Sequence, residues 1–190
     1  MLTFILIVVN ILVFSLPYVV NFRGPFDSFT NFLMLGWKDN AAIREGEYYR
    51  LVTSNFLHAD ITHLMVNMLS LYNVGPYVNS IFGNLGFLLI FFASGIGSSF
   101  TSFWFNQNPS VGASGAIFGL VGSLCAVAIA TNNFALLANI GIVILINALI
   151  GFLSPNIDNW GHFGGFVIGL ITGAMLLLIS GLNGGWNPEM

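Results

Sequence analysis

With 190 residues, of which 6% are charged and 56% hydrophobic, the chain has far too few charged groups to wet the surface of a soluble domain, where about a quarter of residues are charged. Its mean hydropathy of +0.88 assigns it to the bilayer as an integral membrane protein. A net charge of −3, small and dispersed, excludes nucleic acid or an anionic surface as an obvious partner.

Six apolar stretches are expected as membrane-spanning helices, over residues 2–20, 61–82, 85–105, 114–130, 134–153 and 160–180. They fill the length, so a single domain over residues 1–190 is expected, an all-α polytopic bundle. The first stretch has no basic leader and no small-residue cleavage site after it, and is read as a retained span. The connection from Asn21 to Asp60 holds all four basic residues (Arg23, Lys38, Arg44, Arg50), five of the seven acidic ones, and Phe29, Trp37, Tyr48 and Tyr49. Such a mixture is too apolar for a disordered linker and suits a partly embedded loop at the headgroup level. The remaining connections are short: Gly83-Asn84, Asn106 to Gly112, Thr131 to Asn133, and Ser154 to Asn159. Cys125, the sole cysteine, lies in an apolar run and reads as a small packed residue.

Successive spans cross in opposite directions, so the N-terminal ends of the second, fourth and sixth face one side. The unusual polar residues sit at those three ends: His58 and His63 at the second, Ser114 at the fourth, His162 at the sixth. His63 and Asn67 are four apart and share a helical face. Gly112-Ala113-Ser114-Gly115 opens the fourth span, where a hydroxyl stands beside unpaired backbone N–H groups, an arrangement suited to acyl transfer. Gly112, Gly115, Gly119 and Gly122 on the fourth span and Gly161, Gly165, Gly169 and Gly173 on the sixth mean close helix packing, which would draw Ser114 and His162 together. Asn139 and Asn147 of the fifth span are expected to be interhelical hydrogen-bond partners. Metal ligation by the three histidines is the weaker reading. There is no H-E-x-x-H helix and no G-x-G-D, and the nearest acids, Asp60 and Asp158, fall in connections. No metal or cofactor is expected.

These residues together resemble the rhomboid intramembrane serine proteases. The resemblance is carried by Glu47-Tyr48-Tyr49-Arg50, by His58, His63 and Asn67 in an H-x4-H-x3-N pattern, by Gly112-Ala113-Ser114-Gly115, and by His162, Gly165 and Gly169 in H-x2-G-x3-G. It implies a six-span rhomboid-like bundle with a long first loop, and a dyad of Ser114 as nucleophile and His162 as general base. It further implies an oxyanion site from the Ser114 N–H with the side chains of His63 and Asn67, and His58 supporting the cavity. Departures are Tyr49 for the family's frequent Trp before Arg50, Phe118 for a common Tyr four positions after the nucleophile, and Gly161 for the usual Ala before the histidine. Phe118 can stack on His162 but cannot donate a hydrogen bond.

The mechanism expected from those roles needs no third carboxylate. Packing by Phe118 orients the imidazole, and a cavity lined by His58, His63, Asn67 and Ser114 admits the hydrolytic water. The partners expected are transmembrane protein substrates that unwind locally, within the lipid bilayer of the plasma membrane. The rival readings are a catalytically inactive rhomboid-like binder of membrane proteins and a small transporter. The positive-inside rule puts the first loop in the cytoplasm. The resemblance implies the reverse, and an extracytoplasmic loop is the expectation here. The fifth span and the Ser154 to Asn159 connection, free of catalytic residues, are expected to move as substrate gate and cap.

Overall fold

A computed structural model describes residues 1–153 and 157–182, and every described segment of regular structure is helical. α1 (Leu2–Val19) is followed by three short helices within the long connection: α2 (Ser28–Met34), α3 (Asn40–Arg44) and α4 (Arg50–Thr53), the last continuing into a 3₁₀ turn, Ser54–Phe56. Aspartates start two of them. The Asp27 carboxylate accepts from the Phe29 and Thr30 N–H groups, and Asp39 accepts from those of Ala41 and Ala42. Arg50 fastens the unit: its Nε donates to Glu47 Oε2 at 2.6 Å, and its Nη1 to the carbonyls of Met34 at 2.8 Å and Trp37 at 3.1 Å. The first connection is therefore a folded substructure, held by charge-assisted bonds from the buried Arg50.

The second and third expected spans appear as two arms, 61–82 and 84–105, of one hydrogen-bonded element, α5 (Ile61–Phe105). Gly83 divides them at φ 68° and ψ 179°, in the region that favours glycine, and a Cβ there would meet nothing within 4 Å. Backbone freedom, not close packing, is what this glycine supplies. Asp60 caps the first arm by accepting from the His63 N–H at 2.8 Å.

α6 (Ser114–Ala130) and α8 (Asn159–Leu182) run side by side in parallel. A Cβ on Gly165 would collide with the Gly115 carbonyl, one on Gly169 with the Gly119 carbonyl, and one on Gly122 with the Phe166 carbonyl. Backbone thus meets backbone over more than two turns, which only small residues allow. The second arm of α5 lies antiparallel against both. Ser98 and Ser94 fill the space beside Gly115 and Gly119, and Thr101 and Ile168 mark its contact with α8. Burial follows from this central place: Ala116, Leu120 and Ala128 of α6 are inaccessible to solvent.

α7 (Phe134–Leu153) has a different footing. It rests mainly on α6, and its inward stripe is Leu136, Ile140 and Ile144 at helical spacing. Asn139 is exposed on another face of this helix instead of reaching between helices, because the apolar stripe turns it outward. The side chain of Asn147 and residues 154–156 of the expected cap lie outside the described residues. α1, α5 and α8 are long and apolar enough to cross a membrane, whereas α6 has 17 residues. Phe4, Val8 and Leu12 of α1 and Ile171, Met175 and Leu178 of α8 are exposed, as befits helices whose solvent is hydrocarbon.

Candidate active site

Packing brings three chain-distant ends to one end of the bundle. Because α6 and α8 are parallel and locked by their glycines, Ser114 at the first residue of one stands level with the first turn of the other. The His162 Nε2 lies 2.8 Å from Ser114 Oγ. In the tautomer with Nε2 unprotonated, the hydroxyl donates to the ring, the geometry a base needs before taking that proton. Phe118, one helical turn beyond Ser114, stacks on the imidazole with ring centroids 4.5 Å apart and planes 19° apart. No side chain caps the start of α6, which leaves its first-turn N–H groups available.

The loop before Ser114 is held from two sides. Gly112 donates its N–H to the Ser54 carbonyl at 2.9 Å, and Lys38 and Ser110 exchange backbone hydrogen bonds at 2.9 and 3.2 Å. Gly112 has φ 127°, and a Cβ on it would lie 2.8 Å from both Cε1 and Nε2 of His63. Any larger residue would push the His63 ring away from the loop. Lys38 is fully buried, and its Nζ donates to Asn40 Oδ1 at 3.0 Å and to the carbonyls of Asn106 at 2.8 Å and Asn108 at 2.7 Å. Burial pulls its pKa below the usual lysine value, against the charges of Asp158 and Asp39. The lysine works as a clamp on the loop.

His63 and Asn67 share a face of the first arm, and the Asn67 amide donates to the His63 carbonyl at 2.9 Å, leaving its second N–H for another acceptor. His58 packs edge-on against His63, with centroids 5.2 Å apart. It is 1% exposed and both ring nitrogens lack a hydrogen-bond partner. Burial above all, helped by the neighbouring His63, pushes the His58 pKa down to about 3, so the ring is neutral at pH 7.

The crevice at Ser114, about 290 Å³ including its open mouth, differs from the cavity expected from sequence. Besides Ser114 and His162 it is lined by Ser54, Asn55, Ser98, Ser99, Ser110 and Asp158. Of the residues expected to line it, His58, His63 and Asn67 do not, His58 and Asn67 because they are buried and His63 because its ring lies behind Gly112. Ser98 had a readable signal: with Ser94 and Ser102 it recurs every four residues, so the three share one face of an otherwise apolar helix. Asp158, set aside in the sequence as a residue of a connection, stands four positions before His162 and borders the same crevice. Cys125 is partly buried, as a free thiol away from these groups. Among the described residues, no three His, Cys, Asp or Glu side chains are grouped to hold a metal ion.

Comparison with known proteins gives this geometry a setting. Residues 45–179 match the family model of the Rhomboid domain. The chain is 40% identical over 177 residues to Rhomboid protease GluP of Bacillus subtilis (strain 168), covering 92% of this chain and 34% of that one. It is 37% identical over 152 residues to RHOMBOID-like protein 5 of Arabidopsis thaliana, covering 76% of this chain and 49% of the relative. It is also 39% identical over 140 residues to Inactive RHOMBOID-like protein 8 of the same plant, covering 70% of this chain and 39% of the relative. The chain thus spans from about a third to about half the length of these curated relatives.

Proposed function

This chain belongs to the rhomboid family of membrane proteins, and from that premise we propose that it is an intramembrane serine endopeptidase that cuts peptide bonds within or beside transmembrane segments. The observation that carries the reading is the 2.8 Å approach of His162 Nε2 to Ser114 Oγ, with the ring stacked on Phe118. His162 takes the Ser114 proton as the hydroxyl oxygen attacks the carbonyl carbon, then returns it to the leaving amine. Water then hydrolyses the acyl-enzyme by the same proton route. The oxyanion is met by the Ser114 N–H, the side chains of His63 and Asn67, and the positive end of the α6 dipole, in a site with few competing waters.

In this reading α1, the two arms of α5, α6, α7 and α8 are six spans of one domain, set in the plasma membrane with the α2 to α4 substructure outside the cytoplasm. Aromatic side chains support an interface at that end, where Trp104, Phe105 and Trp160 are exposed and Phe105 stacks on Trp160 at 4.8 Å. Substrates are membrane-spanning segments that unwind locally, since a helical peptide bond is shielded by its own hydrogen bonds.

An inactive relative keeps one alternative in view, a binder of membrane proteins that cleaves nothing. Purified protein reconstituted with a model transmembrane substrate separates the two. Cleavage that disappears in Ser114→Ala and in His162→Ala, both still folded, supports the protease. Binding without cleavage by the wild type supports the binder.

A further inference from the structure

Resting on that reading, the structure assigns Asp158 a role beyond the dyad: we propose that it is the positioning residue for His162. The sequence offers no carboxylate within a span to orient the imidazole, and Phe118 fixes only the plane of the ring. The start of α8 must also be held, because His162 sits in its first turn, where helices fray.

Asp158 holds it at both of its oxygens. Oδ1 accepts from the Gly161 N–H at 3.0 Å, the side-chain cap that fixes where the helix begins. Oδ2 accepts a close hydrogen bond from Ser102 Oγ on the second arm of α5. Its backbone carbonyl accepts from the His162 N–H at 3.0 Å. Ser102 Oγ in turn lies 3.3 Å from Ser110 Oγ, and Ser110 is the residue whose backbone bonds to Lys38 in the loop leading to Ser114. One carboxylate therefore ties the histidine-bearing helix, through a single serine, to the serine-bearing loop. A charge-assisted bond of this kind is stronger than its neutral counterpart and survives where few waters compete. Asp158 neither gives nor receives the transferred proton. It sets the height and rotation of the first turn of α8, and hence the place of Nε2.

The experiment combines steady-state cleavage of a model transmembrane substrate with NMR of ¹⁵N-histidine-labelled protein in detergent, where only three imidazoles report. Asp158→Ala should lower kcat by on the order of 10-fold to 100-fold, the scale of a small misplacement of a reacting group. KM should hold, and the His162 resonances should move while those of His58 and His63 stay. Asp158→Asn, which keeps a capping oxygen, should recover much of the loss. Ser102→Ala should shift both readouts in the same direction by less, and it decides the matter if Asp158→Ala does not fold. Folded Asp158→Ala, or Ser102→Ala in its place, with wild-type kcat and an unmoved His162 signal would overturn the assignment. A wild type that cleaves nothing would sink the protease reading instead, and the His162 resonances would still test the positioning.

Discussion

The seam between α6 and α8 and the attachment of α7 are built on opposite principles. At the seam, glycines bring carbonyl oxygens of one helix against the Cα atoms of the other, and the second arm of α5 closes over both with Ser94 and Ser98. α7 leans mainly on α6 through a single stripe, Leu136, Ile140 and Ile144, and a Cβ on its Gly141 would meet nothing within 4 Å. A serine and a histidine far apart in sequence need fixed backbones to stay in hydrogen-bond contact. If, as the proposed function has it, substrate enters sideways from the bilayer, it needs the reverse, an element that can leave without unfolding the rest. The seam meets the first requirement, and the proposal assigns the second to α7.

Changes at the seam should be the most damaging. Gly165→Val places branched carbon against the Gly115 carbonyl and should remove folded, active protein altogether, measured as loss of the monodisperse species in detergent. Gly141→Ala on α7 should leave both yield and cleavage unchanged, and equal damage at the two sites would break the comparison. Next comes motion. Tethering α7 to the first arm of α5 through engineered cysteines, with Cys125 replaced, should abolish cleavage of a membrane-embedded substrate, and reduction should restore it. Full activity with the tether closed would remove α7 as the gate.

Smaller effects are expected from His58, His63 and Asn67, to which the proposed function gives oxyanion donors and cavity support but no part of the dyad. Asn67→Ala should lower turnover by about 10²–10³, the typical loss of one oxyanion donor, with the fold intact. His58 gives a pH signature. Its folded value of about 3 lies below the ordinary 6.5, so its contribution to stability is fully present above about pH 6.5 and is lost as pH falls toward 3. Between pH 7 and pH 5 the loss is on the order of 2 kcal/mol, and thermal melts of His58→Leu should show a shallower acid dependence than the wild type.

Much of this architecture is legible in the sequence because the bilayer imposes length and hydropathy on each crossing segment, so the helices lie where apolar runs begin and end. The parallel relation of the helices bearing Ser114 and His162 follows from alternation, and their contact from glycines at close helical spacing. What the sequence hides are partners whose meaning is purely spatial. Lys38 reads as one basic residue among four in a loop, yet it is fully buried, with its ammonium on Asn40 and two carbonyls before Ser114. Asp158 reads as a turn residue, and its bond to Ser102 spans two helices that no local pattern relates. Asn139 shows the opposite error. A polar residue in an apolar helix suggests an interhelical bond, but the side it occupies is set by the stripe of Leu136 and Ile140, which turns it outward.

The central claim is that the seam holds a reactive serine beside its base, and covalent labelling tests it most directly. Wild-type protein treated with a serine-directed phosphonate and digested for mass spectrometry should carry one adduct, on Ser114. Labelling should vanish on prior denaturation and fall to background in His162→Ala. An unlabelled Ser114 in folded protein, or labelling that is indifferent to His162, would contradict the account.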